Sequence, residues 1–181
     1  MLRKALLVFA REGFHAASME DIADAAGVTK PVLYQHFASK RKLYQELLDD
    51  ISSSLMAAIT EATSSAGGPR QQVERGFAAY FRFVADNRDA FTLLFGSGGR
   101  RDAEFADYTR RVEATIAEAV ARLIDADLDD DHRRLLAYGI VGMAEGTSRH
   151  FVAEGVPVDA DAAARRLAEL AWAGLRAVKR D

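Results

Sequence analysis

Residues 14–40 read FHAASMEDIADAAGVTKPVLYQHFASK, and this stretch decides how the N-terminal part of the chain folds. Ser18 stands three residues before an acidic side chain, which is typical of a capped helix start, and Gly27 is typical of a helix end. Thr29 can cap the next helix, and Pro31 falls in its first turn, where the missing N–H costs no hydrogen bond. Two short helices joined by a tight turn predict a helix-turn-helix.

Apolar residues repeat at helical spacing on both sides of this stretch. Leu2, Leu6 and Phe9 predict a first helix at about 2–12, which Gly13 ends. Ser39 predicts the start of a longer helix, and no stretch of several residues alternates apolar and polar side chains as a strand would. Further helices are therefore expected at about 19–26, 40–63, 70–86, 88–96, 101–126, 131–153 and 160–178, with a short helix between the first two whose first turn holds Lys30 and Pro31.

These helices predict an all-α fold with two parts. Residues 1–48 are expected to form a three-helix helix-turn-helix DNA-binding domain, and residues 49–181 a larger helical domain for ligand binding and dimerisation. The net charge is −3, which taken alone argues against binding to nucleic acid. Residues 1–48, however, carry seven basic against five acidic side chains, so the positive charge is concentrated where DNA contact is predicted.

The composition excludes several kinds of site. The chain has no cysteine, so it has no disulfide and no thiolate metal site. No apolar run approaches the roughly 18 residues of a membrane span, and no secretory signal pattern opens the sequence. We therefore expect a soluble, cytoplasmic protein without a membrane partner.

The stretch quoted above resembles the DNA-binding segment of the tetracycline-repressor (TetR) family over about residues 2–48. The pattern Leu33-Tyr34-x-His36-Phe37-x-Ser39-Lys40 carries most of the likeness. The resemblance implies three kinds of DNA contact. Lys30 would contact base edges, and Pro31 and Val32 would contact thymine methyl groups. Phosphates would be held by Thr29, Tyr34, His36 and Lys40. Gln35 could contact either a base edge or a phosphate.

The sequence departs from the family pattern at two places. Many members have glycine and threonine where Pro31 and Val32 stand, so an unusual operator preference is expected. Many members also carry a basic arm ahead of the first helix, whereas this sequence begins at that helix. We expect the natural start to lie upstream of Met1; the alternative is that this protein lacks the extra contacts of such an arm.

Aromatic residues crowd the middle of the chain and occupy more than one helical face. A helix with aromatic side chains on several faces lies deep in a core or lines a cavity. We predict an apolar ligand pocket between the helices at about 70–96 and 101–126, closed by the end of the helix at 40–63, while a core role stays open for each residue. The predicted ligand-binding residues are Phe77, Tyr80, Phe81, Phe91, Phe95, Phe105 and Tyr108.

The last two predicted helices suit self-association. Gly139, Gly142 and Gly146 recur at three- and four-residue spacing, and a glycine inside a helix costs about 1 kcal/mol relative to alanine. Such glycines favour close backbone packing, here against a second copy, with packing inside the chain as the alternative. The apolar stripe expected on the same surface includes Leu135, Tyr138, Val141, Leu167, Leu170, Leu175 and Trp172.

The predicted function is that of a ligand-responsive, DNA-binding transcriptional regulator. We expect a repressor that binds a palindromic operator as a homodimer and is released by a small apolar ligand through a shift of the helix at 40–63. Activation in place of repression stays open, because the effect on transcription depends on where the operator lies relative to the promoter. The alternative is a helical small-molecule-binding protein with weak or no sequence-specific DNA binding.

An enzyme is not expected, nor is a cofactor. The four histidines (His15, His36, His132 and His150) lack metal-ligand spacing, and the sequence contains neither a phosphate-binding glycine loop nor a nucleophile elbow. No catalytic or metal-binding residue is therefore assigned.

Overall fold

The structure, a computed structural model, describes residues 1–95, 103–124, 128–154 and 159–178. Within these ranges the secondary structure is helical, which confirms the all-α prediction. The loops predicted at 96–99 and 155–157, and the helix ends predicted at 96, 101 and 126, lie outside the described residues. The helices are α1 (Leu2–Ala16), α2 (Met19–Ala26), α3 (Lys30–His36), α4 (Lys40–Ser64), α5 (Pro69–Asp86), α6 (Arg88–Phe95), α7 (Ala103–Leu123), α8 (Asp130–Ala153) and α9 (Ala160–Ala177).

The predicted caps of α2 are both present. The Ser18 hydroxyl accepts a hydrogen bond from the Asp21 N–H at 3.1 Å, and the Ser18 N–H donates to the Asp21 carboxylate at 2.9 Å. These bonds favour the charged carboxylate and lower the pKa of Asp21. Gly27 ends the helix in the left-handed conformation, with φ 68°.

The first helix differs in one detail from its prediction. Gly13 interrupts α1 with φ 78° and ψ 166°, as expected of a helix end, but one further turn follows and carries the helix to Ala16. This turn places the ring of Phe14 against those of Phe9 and Tyr44. We call α1, α2, α3 and the first turns of α4 the head. The core of the head is built from fully buried side chains, including Phe9, Ile22 and Leu33.

The head continues into the rest of the protein, the body, through α4. This helix runs without interruption from Lys40 to Ser64, so the predicted domain boundary at 48–49 falls inside it. Tyr44 is buried in the head, whereas Leu55 and Ile59 are buried in the body. One rigid element therefore spans both parts.

The body is a bundle around α5. This helix packs along α4 on one side and α9 on the other, and α7 packs along α8. The short α6 contacts α1, which gives the body a second contact with the head. None of the helices in the described ranges is both long and apolar enough to cross a membrane.

Candidate functional site

The recognition helix α3 has one buried face and one exposed face. Leu33 and Phe37 fix the helix to the core of the head. Tyr34, Gln35 and His36 point outward, and Tyr34 is 45% exposed despite its size. A large exposed aromatic side chain beside polar neighbours suits contact with a partner.

The N-terminal end of α3 is also accessible. Thr29, Lys30 and Pro31 are exposed, and Val32 is half-buried. Thr29 occupies the predicted cap position and its carbonyl accepts from the Leu33 N–H at 3.1 Å, but its hydroxyl makes no capping bond. That hydroxyl is therefore not committed to capping its own helix.

Lys30 lies within reach of α2. Its ammonium is 3.4 Å from a carboxylate oxygen of Glu20, and both side chains are largely exposed. Exposed pairs of this kind contribute about 0–1 kcal/mol to stability. Lys30 can leave this pairing at little cost.

Lys40 is placed differently from the other predicted DNA contacts. Its half-buried ammonium donates to the carbonyl of Ala17 at 2.7 Å and to that of His15 at 3.2 Å. The same ammonium lies 4.7 Å from the ring centroid of Phe14. Lys40 thus ties the start of α4 to the end of α1, which leaves one of its three N–H donors for another partner.

A cavity of about 240 Å³ lies in the body. It is enclosed by α5 and α7 beside the end of α4, where a pocket was expected, and α8 and α9 complete its wall. The lining is mostly aliphatic and includes the polar or charged residues Thr63, Gln72, Tyr80 and Arg176. The apolar lining includes Ile59, Phe77, Ile116, Val120, Ile140, Ala144 and Trp172.

The structure brings together only two of the seven aromatic residues predicted to bind ligand. Phe77 and Tyr80 line the cavity, whereas Phe81 and Phe91 are buried in the core away from its wall. The side chain of Phe95 lies outside the described residues. The prediction grouped these residues because aromatic content does not reveal which face of α5 or α6 points toward a cavity.

The two remaining aromatic residues connect the body to the head. The ring centroid of Phe105 lies 4.8 Å from that of Phe14 and 4.4 Å from that of Tyr44. Tyr108 donates a hydrogen bond to the Asp49 carboxylate at 2.7 Å, and burial raises the pKa of its hydroxyl to about 12. These two side chains therefore attach α7 to α1 and α4.

Most of the cavity wall escaped the sequence prediction. The aliphatic residues of α7 and α8 look like ordinary core in a sequence, and no signal separates the two roles. Val141, Trp172 and Leu175 were assigned to the surface for self-association, but all three line the cavity. These three side chains therefore belong to the cavity wall, and their part in self-association stays a prediction.

The rest of that surface is open. Leu135 is 70% exposed and Leu170 is 59% exposed, with Tyr138 also outward. A Cβ added at Gly139 or at Gly142 would meet no atom within 4 Å. These two glycines therefore make no close packing contact within the described protomer.

Comparison with known proteins assigns both parts of the chain. Residues 1–47 match the family described as "Bacterial regulatory proteins, tetR family", and residues 69–174 match "Tetracyclin repressor-like, C-terminal domain". The HTH-type transcriptional activator FasR of Mycolicibacterium smegmatis is 32% identical over 170 residues, which cover 93% of this chain and 78% of that protein.

Solved structures share the fold over nearly the whole chain. A TetR-like transcriptional regulator from Rhodococcus sp. RHA1 superposes with a TM-score of 0.80 at 29% identity, covering 98% of this chain and 94% of the other. The transcriptional regulator FadR from Bacillus subtilis, in complex with stearoyl-CoA, gives a TM-score of 0.81 at 16% identity and covers 96% of each chain. The second likeness concerns the fold alone.

Proposed function

The chain belongs to the TetR family of bacterial regulatory proteins, and we propose that it binds a palindromic operator as a homodimer and leaves it when a small apolar ligand fills the cavity. It is a DNA-binding transcriptional regulator. One observation carries the ligand response: α4 and α7 each run from the cavity wall to the head. A ligand that displaces either helix moves the head with it.

The DNA contacts are proposed for the exposed side of α3. Lys30, which is held only by a weak surface ion pair, reaches guanine O6/N7, while Pro31 and Val32 offer apolar contact to a thymine methyl. The hydroxyls of Thr29 and Tyr34, with His36, hold phosphates, and Gln35 takes either target. Lys40 acts mainly by positioning α4, with at most one donor for a phosphate.

The dimer is proposed to form through α8 and α9. Their outward surface exposes Leu135, Tyr138 and Leu170 beside two glycines, Gly139 and Gly142, at which an added Cβ would meet no atom of the described residues within 4 Å. A two-fold axis through this surface pairs like with like, and we propose that it runs so that both copies of α3 face the same side of the dimer. Two half-sites about one helical turn apart, or a small multiple of it, then match the protein's symmetry.

The ligand is proposed to be largely apolar, because the cavity wall is. FadR from Bacillus subtilis, which has the same fold, was solved with stearoyl-CoA, so this architecture accommodates a long acyl chain. Ile116 and Val120, in the C-terminal half of α7, line the cavity, while Phe105 near the start of this helix contacts the head. We propose α7 as a second route of transmission, next to the α4 route expected from the sequence.

The sign of regulation follows from the position of the operator. An operator that overlaps the promoter gives repression, as expected from the sequence, and one upstream of it supports activation, the activity named for FasR. Release by ligand reverses whichever effect the bound dimer has.

Selection from random DNA duplexes tests the DNA-binding part of this proposal. Purified protein is incubated with the pool at one stated salt concentration, because phosphate contacts make affinity depend steeply on salt. We expect a palindrome with two regularly spaced half-sites. Lys30→Ala changes the preferred base within each half-site, whereas the distant control Arg70→Ala does not. A pool without any enriched motif refutes the proposal and favours a small-molecule-binding protein.

A further inference from the structure

Among the described residues that line the cavity in the body, Arg176 is the one that carries a charge. No aspartate or glutamate belongs to the described part of this wall. Arg176 lies in the last turn of α9 and makes no ion pair with a described residue. A cation in an otherwise apolar wall, without a carboxylate beside it, suits a ligand that brings the negative charge itself.

Arg176 lies where the cavity meets solvent. Pro69 and Arg176 are the two described lining residues that are exposed, whereas Phe77, further along α5, is buried. Arg82 near the end of α5 is 3.4 Å from the carboxylate of Asp161 in the first turn of α9, so these two packed helices run antiparallel. The end of α9 therefore lies beside the start of α5, and Pro69 and Arg176 flank the same opening.

The inner end of the cavity does not suit an anion. Tyr80 is the lining residue of α5 furthest from Pro69, about 16 Å along the helix axis, and it is 6% exposed. Arg149 near Tyr80 is ion-paired with the buried Glu145, and Glu113 adds a negative charge there. The cavity is therefore polarised, with a cation at its opening and apolar surroundings without an uncommitted cation at its inner end.

We propose that Arg176 holds the carboxylate of an amphipathic acid whose apolar chain extends along α5 into the cavity. This inference rests on the proposed function, since it requires the cavity to be a ligand site. One arginine balances one negative charge, and its planar guanidinium can donate two parallel hydrogen bonds to a carboxylate. Because the opening is in contact with solvent, the carboxylate keeps part of its hydration while the chain buries apolar surface.

Three probes with the same saturated eight-carbon chain test the role of Arg176: octanoate, 1-octanol and octylammonium. Near neutral pH the first is an anion, the second is neutral and the third is a cation. Trp172 is the single tryptophan of the chain and lines the cavity, so its fluorescence reports binding directly. We expect octanoate to bind about five-fold more tightly than 1-octanol, as an accessible ion pair allows, and octylammonium to bind most weakly.

Variants of Arg176 identify the cause of the preference. Arg176→Gln should bind octanoate and 1-octanol equally, to within about two-fold, and Arg176→Glu should prefer octylammonium to octanoate. Arg165→Gln is the matched control, because Arg165 is exposed on the same helix about three turns earlier and does not line the cavity. It should keep the full preference for octanoate. Thermal unfolding checks that each variant is folded, and the affinity for 1-octanol should be the same in all of them.

The possible results separate this inference from the proposed function. Binding of 1-octanol as tight as that of octanoate in the wild type refutes the carboxylate site while the ligand cavity stands. A preference for octanoate that survives in Arg176→Gln, or that is lost equally in Arg165→Gln, also refutes the carboxylate site alone. Failure of all three probes to bind the folded wild type refutes the cavity as a ligand site and the carboxylate site with it.

Discussion

Replacement of Lys40 by methionine separates a positioning role from a role in holding DNA. The change keeps the length of the side chain but removes the ammonium that donates to Ala17 and His15. A hydrogen bond from a charged group contributes about 1.5–3 kcal/mol, and the cation–π contact with Phe14 adds about 0.5–1 kcal/mol. Because the longer bond is exposed, we count only the 2.7 Å bond in full. We therefore expect the free energy of unfolding to fall by roughly 2–3 kcal/mol.

The assay measures stability and DNA binding on the same protein. Urea denaturation followed by circular dichroism, at one protein concentration, gives the change in the free energy of unfolding. The slope of log K against log salt for operator binding counts phosphate contacts, at about 0.9 per phosphate. Lys40→Met should lower stability by the stated amount and leave this slope nearly unchanged.

Lys42→Met is the matched control, because Lys42 lies on the same helix, is exposed and carries the same charge. We expect its effect on stability to stay within about 0.5 kcal/mol. Unchanged stability for Lys40→Met, together with a salt slope smaller by about 0.9, would refute the positioning role and assign Lys40 to a phosphate.

Three further predictions concern the body. Tyr108→Phe removes the hydrogen bond to Asp49, so the effect of a bound ligand on operator affinity should shrink by a few-fold. The affinity of the cavity for the ligand, measured by tryptophan fluorescence, should stay the same. An unchanged effect of the ligand on operator affinity would remove Tyr108 from the transmission route. Gly142→Arg should give a folded monomer in sedimentation experiments, because an added Cβ there meets no atom within 4 Å in the part of the chain that the structure describes. A dimer of normal strength would place the interface elsewhere. Gly76→Leu should weaken ligand binding at least 10-fold, because Gly76 lines the cavity. It should also stabilise the protein by about 0.5–1 kcal/mol, because Gly76 lies inside a helix and the added Cβ would make an ordinary contact with Thr63 at 3.6 Å. Unchanged ligand affinity would argue against this cavity.

The head was predictable because its signals are local. The Ser18 cap, the Gly27 helix end and the spacing of Leu33 and Phe37 each depend on a few neighbouring residues, so sequence patterns fix the helices and show which face of α3 is outward. The interaction of Lys40 with the end of α1 was not predictable, since it joins residues more than twenty positions apart.

The cavity was only partly predictable, because a cavity wall is a tertiary feature. Phe77 and Phe81 are one helical turn apart on α5, and yet only Phe77 lines the cavity. Trp172 and Leu175 belong to the apolar stripe of α9 that suggested an interface, but they turn inward.

Operator affinity measured while ligand occupies the cavity tests the central claim most directly. The dimer is titrated with the selected operator at fixed salt, first without ligand and then with the apolar probe butyrophenone at a concentration that saturates the change in Trp172 fluorescence. Coupling between two sites typically amounts to 1–3 kcal/mol, so we predict that the bound probe weakens operator binding at least about five-fold. Bound operator should weaken binding of butyrophenone to the cavity by the same factor. Unchanged operator affinity at full occupancy of the cavity would contradict a ligand-controlled DNA-binding head.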